Sequence, residues 1–354
     1  MDLAAASMAG ARLRPAAAFD FLCVDAFLET AIEALALHSA FELGVIDFLA
    51  ARASAATDQI PGELDRLGRR LLVDRLRANN VVHGEHSALR LTPDFRNAIE
   101  FRDLLEAKLE LARIAIADVA DDLAGLLRAP GPDRCSSRIF ELFRYDRCFE
   151  PTPENIEATA RWMHITTAFT RYESRGLLAH FAITPYHRLL DIGGNSGELA
   201  LRLCARNPRL VAVVVDLPVV CCLGERHVSA HAEASRIRFQ PANALCDPLP
   251  ADADLVVFKS FLHDWPAEGA TRLLQRSVEA LAPGGTLVVF ERAPFGEVPG
   301  PLPFAAAGLL PFVPYLRETA WYARQLTALG LEAVEVGRVD LDMSFQLVTA
   351  RKRQ

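Results

Sequence analysis

Residues 189–203 read LLDIGGNSGELALRL, and this stretch carries the first chemistry that can be named. An apolar run ends in Asp191, a turn containing Gly193, Gly194 and Gly197 follows, and a helical pattern begins. Glycines at a strand-to-helix turn permit a tight bend and let a ligand lie against bare backbone. A second apolar run, rich in valine, ends at Asp216, roughly 20 residues further on, where an acid can bind both hydroxyls of a ribose. Two classes of cofactor use such geometry. A nicotinamide dinucleotide calls for GxGxxG, with the helix N-terminus facing a pyrophosphate. Here the turn reads Gly193-Gly194-Asn195-Ser196-Gly197, which does not fit that spacing. An acid two residues before the first glycine suits a cationic, amino-acid-like ligand better than a phosphate. The bland alternative is a purely structural turn in an α/β domain.

The elements that must hold these residues in place alternate. Strands are expected at 188–192, 210–216, 237–240, 254–259 and 285–291. Helices are expected at 196–205, 218–232, 266–281 and 319–329. Alternation of this kind implies a mostly parallel sheet covered on both faces. Two last strands, 333–336 and 345–350, have no helix between them, so they should form a hairpin with one edge strand running antiparallel. Upstream the texture changes. Residues 20–50 show apolar positions at helical spacing, 67–80 form an Arg-rich helix, and Val81-Val82 and 89–92 read as two short strands around Gly84. Helix, helix and β-hairpin is the winged-helix arrangement. A long amphipathic helix follows over 101–128, the APGPDR stretch at 129–134 is a plausible hinge, and 153–182 is helical again.

The 354 residues are enough for two domains with separate cores, and 51% hydrophobic with 23% charged residues is a globular balance. A net charge of -7 disfavours nucleic acid or an anionic membrane as main partner. The Arg-rich helix raises a DNA-binding regulator as a competing reading, but Glu63, Asp65 and Asp74 interleave with its arginines. The seven cysteines include no CxxC pair and read as free thiols in a reducing compartment. The Ala-rich start carries Asp2, Arg12 and Arg14, unlike a signal peptide, and no long uncharged apolar run follows. A cytoplasmic protein with a frayed start is therefore expected.

Four further segments complete a pattern: VVVDLP (213–218), FQPANALCDPLP (239–250), VVFKSFLHDWP (256–266) and ALAPGGTLVVFER (280–292). With the glycine-rich turn, their order resembles the bacterial and plant small-molecule O-methyltransferases that depend on S-adenosylmethionine. The resemblance runs from about residue 20 to the end. It implies an α/β fold, a seven-stranded Rossmann-like class I methyltransferase sheet behind an N-terminal, mainly helical winged-helix domain. The expected division is an extension at 1–19, a dimerisation domain at 20–130 and an S-adenosylmethionine-binding domain at 131–354. It also implies a homodimer and a small-molecule acceptor.

Carried over by position, Gly193 and Gly194, beside Asp191, would hold the methionine end of the cofactor, Asp216 the ribose and Asn243 the adenine, with Leu217 and Ala244 as further cofactor-binding residues. Asn243 stands where the family has an aspartate, and its amide keeps an acceptor there. Lys259 matches a lysine near the cofactor's carboxylate, His263 the catalytic base, and Glu291 the acid that orients it. Asn195 replaces a third glycine, and Asn tolerates left-handed backbone better than most residues. The family's GxERT segment is PYLRETAWY here, so either Leu316 or Glu318 could fall where a second acid would stand.

The chemistry these residues would perform is an in-line displacement on a sulfonium methyl. It needs an acceptor held close to the methyl and freed of its proton, and a neutral imidazole beside a carboxylate can do the latter. Asp264 reads as a helix-start acid and Trp265 as packing. His263-Asp264 could also be metal ligands; no later histidine exists to complete such a site, although His164 could contribute, and no metal is expected. Trp162, His164, Phe169 and Tyr172, with Phe304, Leu309, Phe312 and Tyr315, suggest a flat apolar acceptor pocket. Transfer to carbon or nitrogen, or altered chemistry on the same fold, stays open.

Overall fold

The structure, a computed structural model, describes residues 19–128, 137–295, 310 and 312–354. The hinge expected at 129–134, nearly all of the N-terminal extension, Phe304 and Leu309 lie outside the described residues.

The N-terminal part is built from α1 (Ala31–Glu42), α2 (Val45–Ala50), α3 (Arg66–Ala78), a hairpin of β1 (Val82–His83) and β2 (Arg90–Leu91), α4 (Pro93–Ala98) and α5 (Arg102–Arg128). The helices α1, α3 and α4 begin where side chains satisfy their first free amides. Thr30 accepts from the Glu33 amide, Asp65 from Gly68 and Thr92 from Phe95. One apolar core, including Val24, Leu37, Leu49, Leu76, Leu89 and Leu105, unites them.

After α6 (Arg138–Leu142) comes α7 (Pro153–His180), capped by Thr152 with Pro153 in its first turn. It belongs to both halves. Phe169 and Tyr172 pack on the N-terminal core, whereas Leu177 is buried in the core under the sheet. The Tyr172 hydroxyl donates to Asp103 of α5 at 2.6 Å.

The sheet comprises β3 (Arg188–Ile192), β4 (Val211–Asp216), β5 (Ile237–Pro241), β6 (Ala253–Lys259), β7 (Leu281–Arg292), β8 (Glu332–Asp340) and β9 (Ser344–Arg351), in the order β5-β4-β3-β6-β7-β9-β8. Alternate residues serve opposite faces. Leu255 and Val257 of β6 join one core, and Val256 and Phe258 join the other. The covering helices are α8 (Glu198–Arg206), α9 (Pro218–Ser229), α10 (Ala267–Ala280) and α11 (Thr319–Ala328).

The expectation of an antiparallel edge strand needs correcting. β9 is the antiparallel strand, but it lies inside, paired with both β7 and β8, and β8 is the edge. Side-chain character explains the order. β9 buries Phe345, Leu347, Val348 and Ala350, while β8 presents Glu332, Glu335 and Arg338 to solvent, and a charged strand suits an open edge.

Candidate active site

The C-terminal ends of β3, β4, β6 and β7 meet above the sheet, where open α/β folds place ligands. Asp191, Gly193, Gly194, Asp216, Leu217, Asn243, Ala244, Lys259 and His263 line one cavity there. Glu291 sits behind the cavity wall, fully buried.

The turn after β3 is shaped by what it must avoid. A Cβ on Gly193 would lie 2.3 Å from the Phe261 ring, and one on Gly194 would lie 2.7 Å from the Asp191 carboxyl carbon. Asn195 takes the left-handed backbone proposed for it, φ 55°, and its side-chain oxygen accepts the Ser196 amide at 2.7 Å. Asp216 holds the turn: its Oδ2 accepts from the Asn195 amide and its Oδ1 from the Leu217 amide, each at 2.8 Å. Burial pushes the Asp216 carboxyl up to about 6, although those two amides pull the other way. Asp191 goes further, up to about 7, through burial first and then the charge of Asp216. Its Oδ2 is buried and has no hydrogen-bond partner among the described residues. An ionised oxygen so placed is costly unless a cation meets it.

Two expected contacts are differently arranged. The Asn243 amide oxygen already accepts the Leu245 peptide N–H at 3.0 Å, so one of its lone pairs is engaged within its own loop. Lys259 is ion-paired with Glu173 of α7 and donates to Thr170 at 3.0 Å. Burial lowers the lysine's pKa, and Glu173 counters it. Glu173 also pairs with Arg292, whose Nη1 donates to Ser260 at 3.1 Å. Ser260 itself holds a left-handed φ of 50°, a strained turn between Lys259 and Phe261.

His263 lies in a single 3₁₀ turn, Leu262–Asp264. Its Nδ1 is 2.6 Å from Glu291 Oε2. The other Glu291 oxygen accepts the Phe261 and Leu262 amides, both at 2.7 Å. An acid already receiving two amides stays ionised and draws the ring proton to Nδ1, which leaves the lone pair of the neutral ring on Nε2. Burial lowers the His263 pKa, but the Glu291 and Asp264 charges outweigh it, and the net shift is upward. Burial raises Glu291, but His263 and the two amides bring it below its ordinary value. The expected base and its orienting acid are thus together.

Sequence reasoning missed other groups. Asp264, read as a helix-start acid, has an oxygen 3.6 Å from His263 Nε2, and its Oδ2 accepts the Tyr145 hydroxyl at 2.9 Å. Burial pushes Asp264 up to about 6. Neither Leu316 nor Glu318 brings a second acid: Glu318 is exposed at the start of α11. The residue between them reaches the base loop instead. Arg317 is 8% exposed; its Nη1 donates to the Leu262 and Tyr315 carbonyls at 2.9 Å, and its Nη2 donates to the Trp265 carbonyl. Gln346 of β9 fixes the Arg317 carbonyl at 2.6 Å. Glu173 carried a faint signal, an acid on the inward face of an amphipathic helix. Arg317 and Tyr145 carried none, since their partners are backbone oxygens or a residue distant in sequence. Of the acceptor candidates, Trp162, Phe169 and Phe312 line the cavity; His164 is exposed and Tyr172 packs on the N-terminal core. Among the described residues, no group of three or more His, Cys, Asp or Glu is arranged to hold a metal ion.

Comparison with known proteins gives this architecture a family. Residues 123–299, half of the chain, match the model of the O-methyltransferase domain family. A 3-hydroxy-5-methyl-1-naphthoate 3-O-methyltransferase of Streptomyces sahachiroi is 31% identical over 47% of this chain and 50% of its own length. The N,N-dimethyltransferase OxyT of Streptomyces rimosus is 29% identical over 73% of this chain and 74% of its own. Of the solved structures, the mitomycin 7-O-methyltransferase MmcR superposes with TM-score 0.74 at 19% identity, covering 93% of this chain and 96% of that one. Human N-acetylserotonin methyltransferase, solved with S-adenosylmethionine, gives 0.72 at 21% identity over 92% and 95%. The chain belongs to the O-methyltransferase domain family, with the seven-stranded α/β fold and helical N-terminal region expected of it. The first of these alignments spans only half of the relative's length.

Proposed function

We propose that the protein transfers a methyl group from S-adenosylmethionine to a hydroxyl of a small aromatic molecule, with His263 as general base. The observation that carries this reading is a single cavity with the His263–Glu291 pair at one end and the unpartnered Asp191 carboxylate beside a bare glycine turn at the other.

These residues fit the cofactor. Asp191 would meet its ammonium group, the Gly193-Gly194 backbone its amino-acid end, Asp216 the ribose, and Ala244 with Asn243 the adenine. When bound, it supplies a methyl on a sulfonium sulfur. His263 Nε2 would take the proton of the acceptor hydroxyl, freeing an oxygen lone pair toward the methyl, and Glu291 would stabilise the resulting imidazolium. The apolar wall of Leu111, Phe143 and Phe312 excludes water and aligns a flat ring.

The N-terminal unit is read as the winged-helix dimerisation domain. Leu67, Leu71, Leu123 and Leu127 are each at least 44% exposed, and a second copy would cover them. Sedimentation of the purified protein checks this: a monomer at micromolar concentration removes the dimer.

Calorimetric titration with S-adenosylmethionine and S-adenosylhomocysteine tests the central reading. Binding that weakens at least tenfold in Asp216→Ala supports it, and no binding by the wild type sinks it. Amines as well as phenols belong in the acceptor screen, because one relative is named an N,N-dimethyltransferase.

A further inference from the structure

Six side chains close around the acceptor end of the cavity, and each touches the next. The His263 ring meets Phe312 edge-on at 5.8 Å, Phe312 meets Phe143 at 6.0 Å, Phe143 meets Trp162 at 5.9 Å, and Trp162 meets Tyr145 at 5.8 Å. The Tyr145 hydroxyl then donates to Asp264, whose other oxygen is 3.6 Å from His263. All six line the cavity.

The polar atoms of this ring are unequally used. His263 Nδ1 serves Glu291, and the Tyr145 hydroxyl serves Asp264. The Trp162 indole nitrogen is buried, in a residue 3% exposed, and has no hydrogen-bond partner among the described residues. A buried N–H left unmet costs about 1–3 kcal/mol, and native interiors seldom keep one without reason. The indole offers only a donor, so whatever meets it must accept. A carbonyl oxygen accepts and has no proton to place. A hydroxyl there would have its own proton to place beside the apolar faces of Phe143 and Phe312.

We infer that the Trp162 N–H selects the acceptor substrate by donating to a carbonyl oxygen on its ring system. The inference rests on the methyltransferase reading and deepens it. Two aromatic rings separate Trp162 from His263 on one side of the circle, and the Tyr145–Asp264 pair separates them on the other. The carbonyl therefore sits across a planar ring system from the hydroxyl that is methylated, not on the neighbouring carbon. Trp162 is a specificity residue and leaves the proton transfer to His263.

The experiment uses the full chain with saturating S-adenosylhomocysteine and three probes of one ring shape: 6-hydroxy-2-naphthoate, 6-hydroxy-2-naphthamide and 2-naphthol. With the tryptophan indoles isotope-labelled, the Trp162 N–H resonance, identified by its loss in Trp162→Phe, should move with the naphthamide or naphthoate and stay with 2-naphthol. The naphthamide and naphthoate arms separate a neutral carbonyl from a charged one. The wild type should prefer a carbonyl-bearing probe about tenfold, the worth of one neutral hydrogen bond, and in Trp162→Phe the ratio of affinities between the carbonyl-bearing probes and 2-naphthol should fall to about one. A preference that survives Trp162→Phe overturns the inference. So does a Trp162 signal that neither carbonyl probe moves while the cofactor product is bound. Failure of the wild type to bind S-adenosylhomocysteine strikes the methyltransferase reading instead, and the two failures are told apart in the first titration.

Discussion

The two ends of the cavity are built on different principles. The cofactor end is made by strand termini and backbone: Asp191 is the last residue but one of β3, Asp216 closes β4, and Asn195 and Leu217 fix the Asp216 carboxylate through their amides. The acceptor end is made by side chains from separate elements, with Tyr145 and Trp162 before the first strand of the sheet and Phe312 between β7 and β8. Backbone binding depends on a turn that tolerates few replacements. Side-chain walls can be exchanged one residue at a time. The first end should therefore be a family constant, and the second should set what this chain acts on.

The contrast can be attacked where the largest effect is expected. His263→Ala should lower the methyl-transfer rate by about 10²–10⁴-fold, the usual worth of a general base, with calorimetric affinity for S-adenosylhomocysteine essentially unchanged. A matching loss of cofactor affinity would show that the two ends are not separable. Gly194→Ala should do the reverse. Its Cβ would fall 2.7 Å from both the Asp191 carboxyl carbon and Val214, so the cofactor end must shift, and cofactor affinity should fall at least tenfold while far-ultraviolet circular dichroism stays native.

A smaller effect follows from Asp191, whose carboxyl is pushed up to about 7. Below that pH it becomes neutral and loses its attraction for the ammonium group. Affinity for S-adenosylhomocysteine should weaken as pH falls through 7, by at most about tenfold per unit, and Asp191→Asn should flatten this dependence. The base adds a second pH dependence on the same, acid side, read in the rate and not in cofactor affinity. The Glu291 charge raises His263, and only the neutral ring accepts a proton, so activity should appear above the ordinary histidine pKa and move to lower pH in Glu291→Gln. A limb that stays put would detach Glu291 from the base. Finally, Arg317→Met should cost about 1–3 kcal/mol for carbonyls left unmet, read from the denaturant midpoint. It should also raise hydrogen exchange over residues 261–265 more than at β3.

How far the sequence disclosed each end follows from the same contrast. Turn chemistry and strand ends are local, so Asp191, Gly193, Gly194 and Asp216 could be placed from contiguous residues. His263 and Glu291 fall at the ends of neighbouring strands, and parallel register brings them together. Non-local partners were not legible. Glu173 meets Lys259 across the fold, and Arg317 answers backbone carbonyls that no residue type announces. The pairing order of β8 and β9 was missed because a hairpin fixes which strands are neighbours, not which of them faces outward.

Along α7, Trp162 lines the cavity, Thr166 accepts from Asn195 of the glycine turn, Thr170 accepts from Lys259, and Glu173 pairs with that lysine and with Arg292. These four positions occupy about 16 Å of one rigid rod. Each can be exchanged singly, yet a single inserted residue between them would swing everything beyond it by about 100°. This helix can thus change in composition but not in length without parting these contacts, and its residue count is the gauge that keeps both ends of the cavity in step.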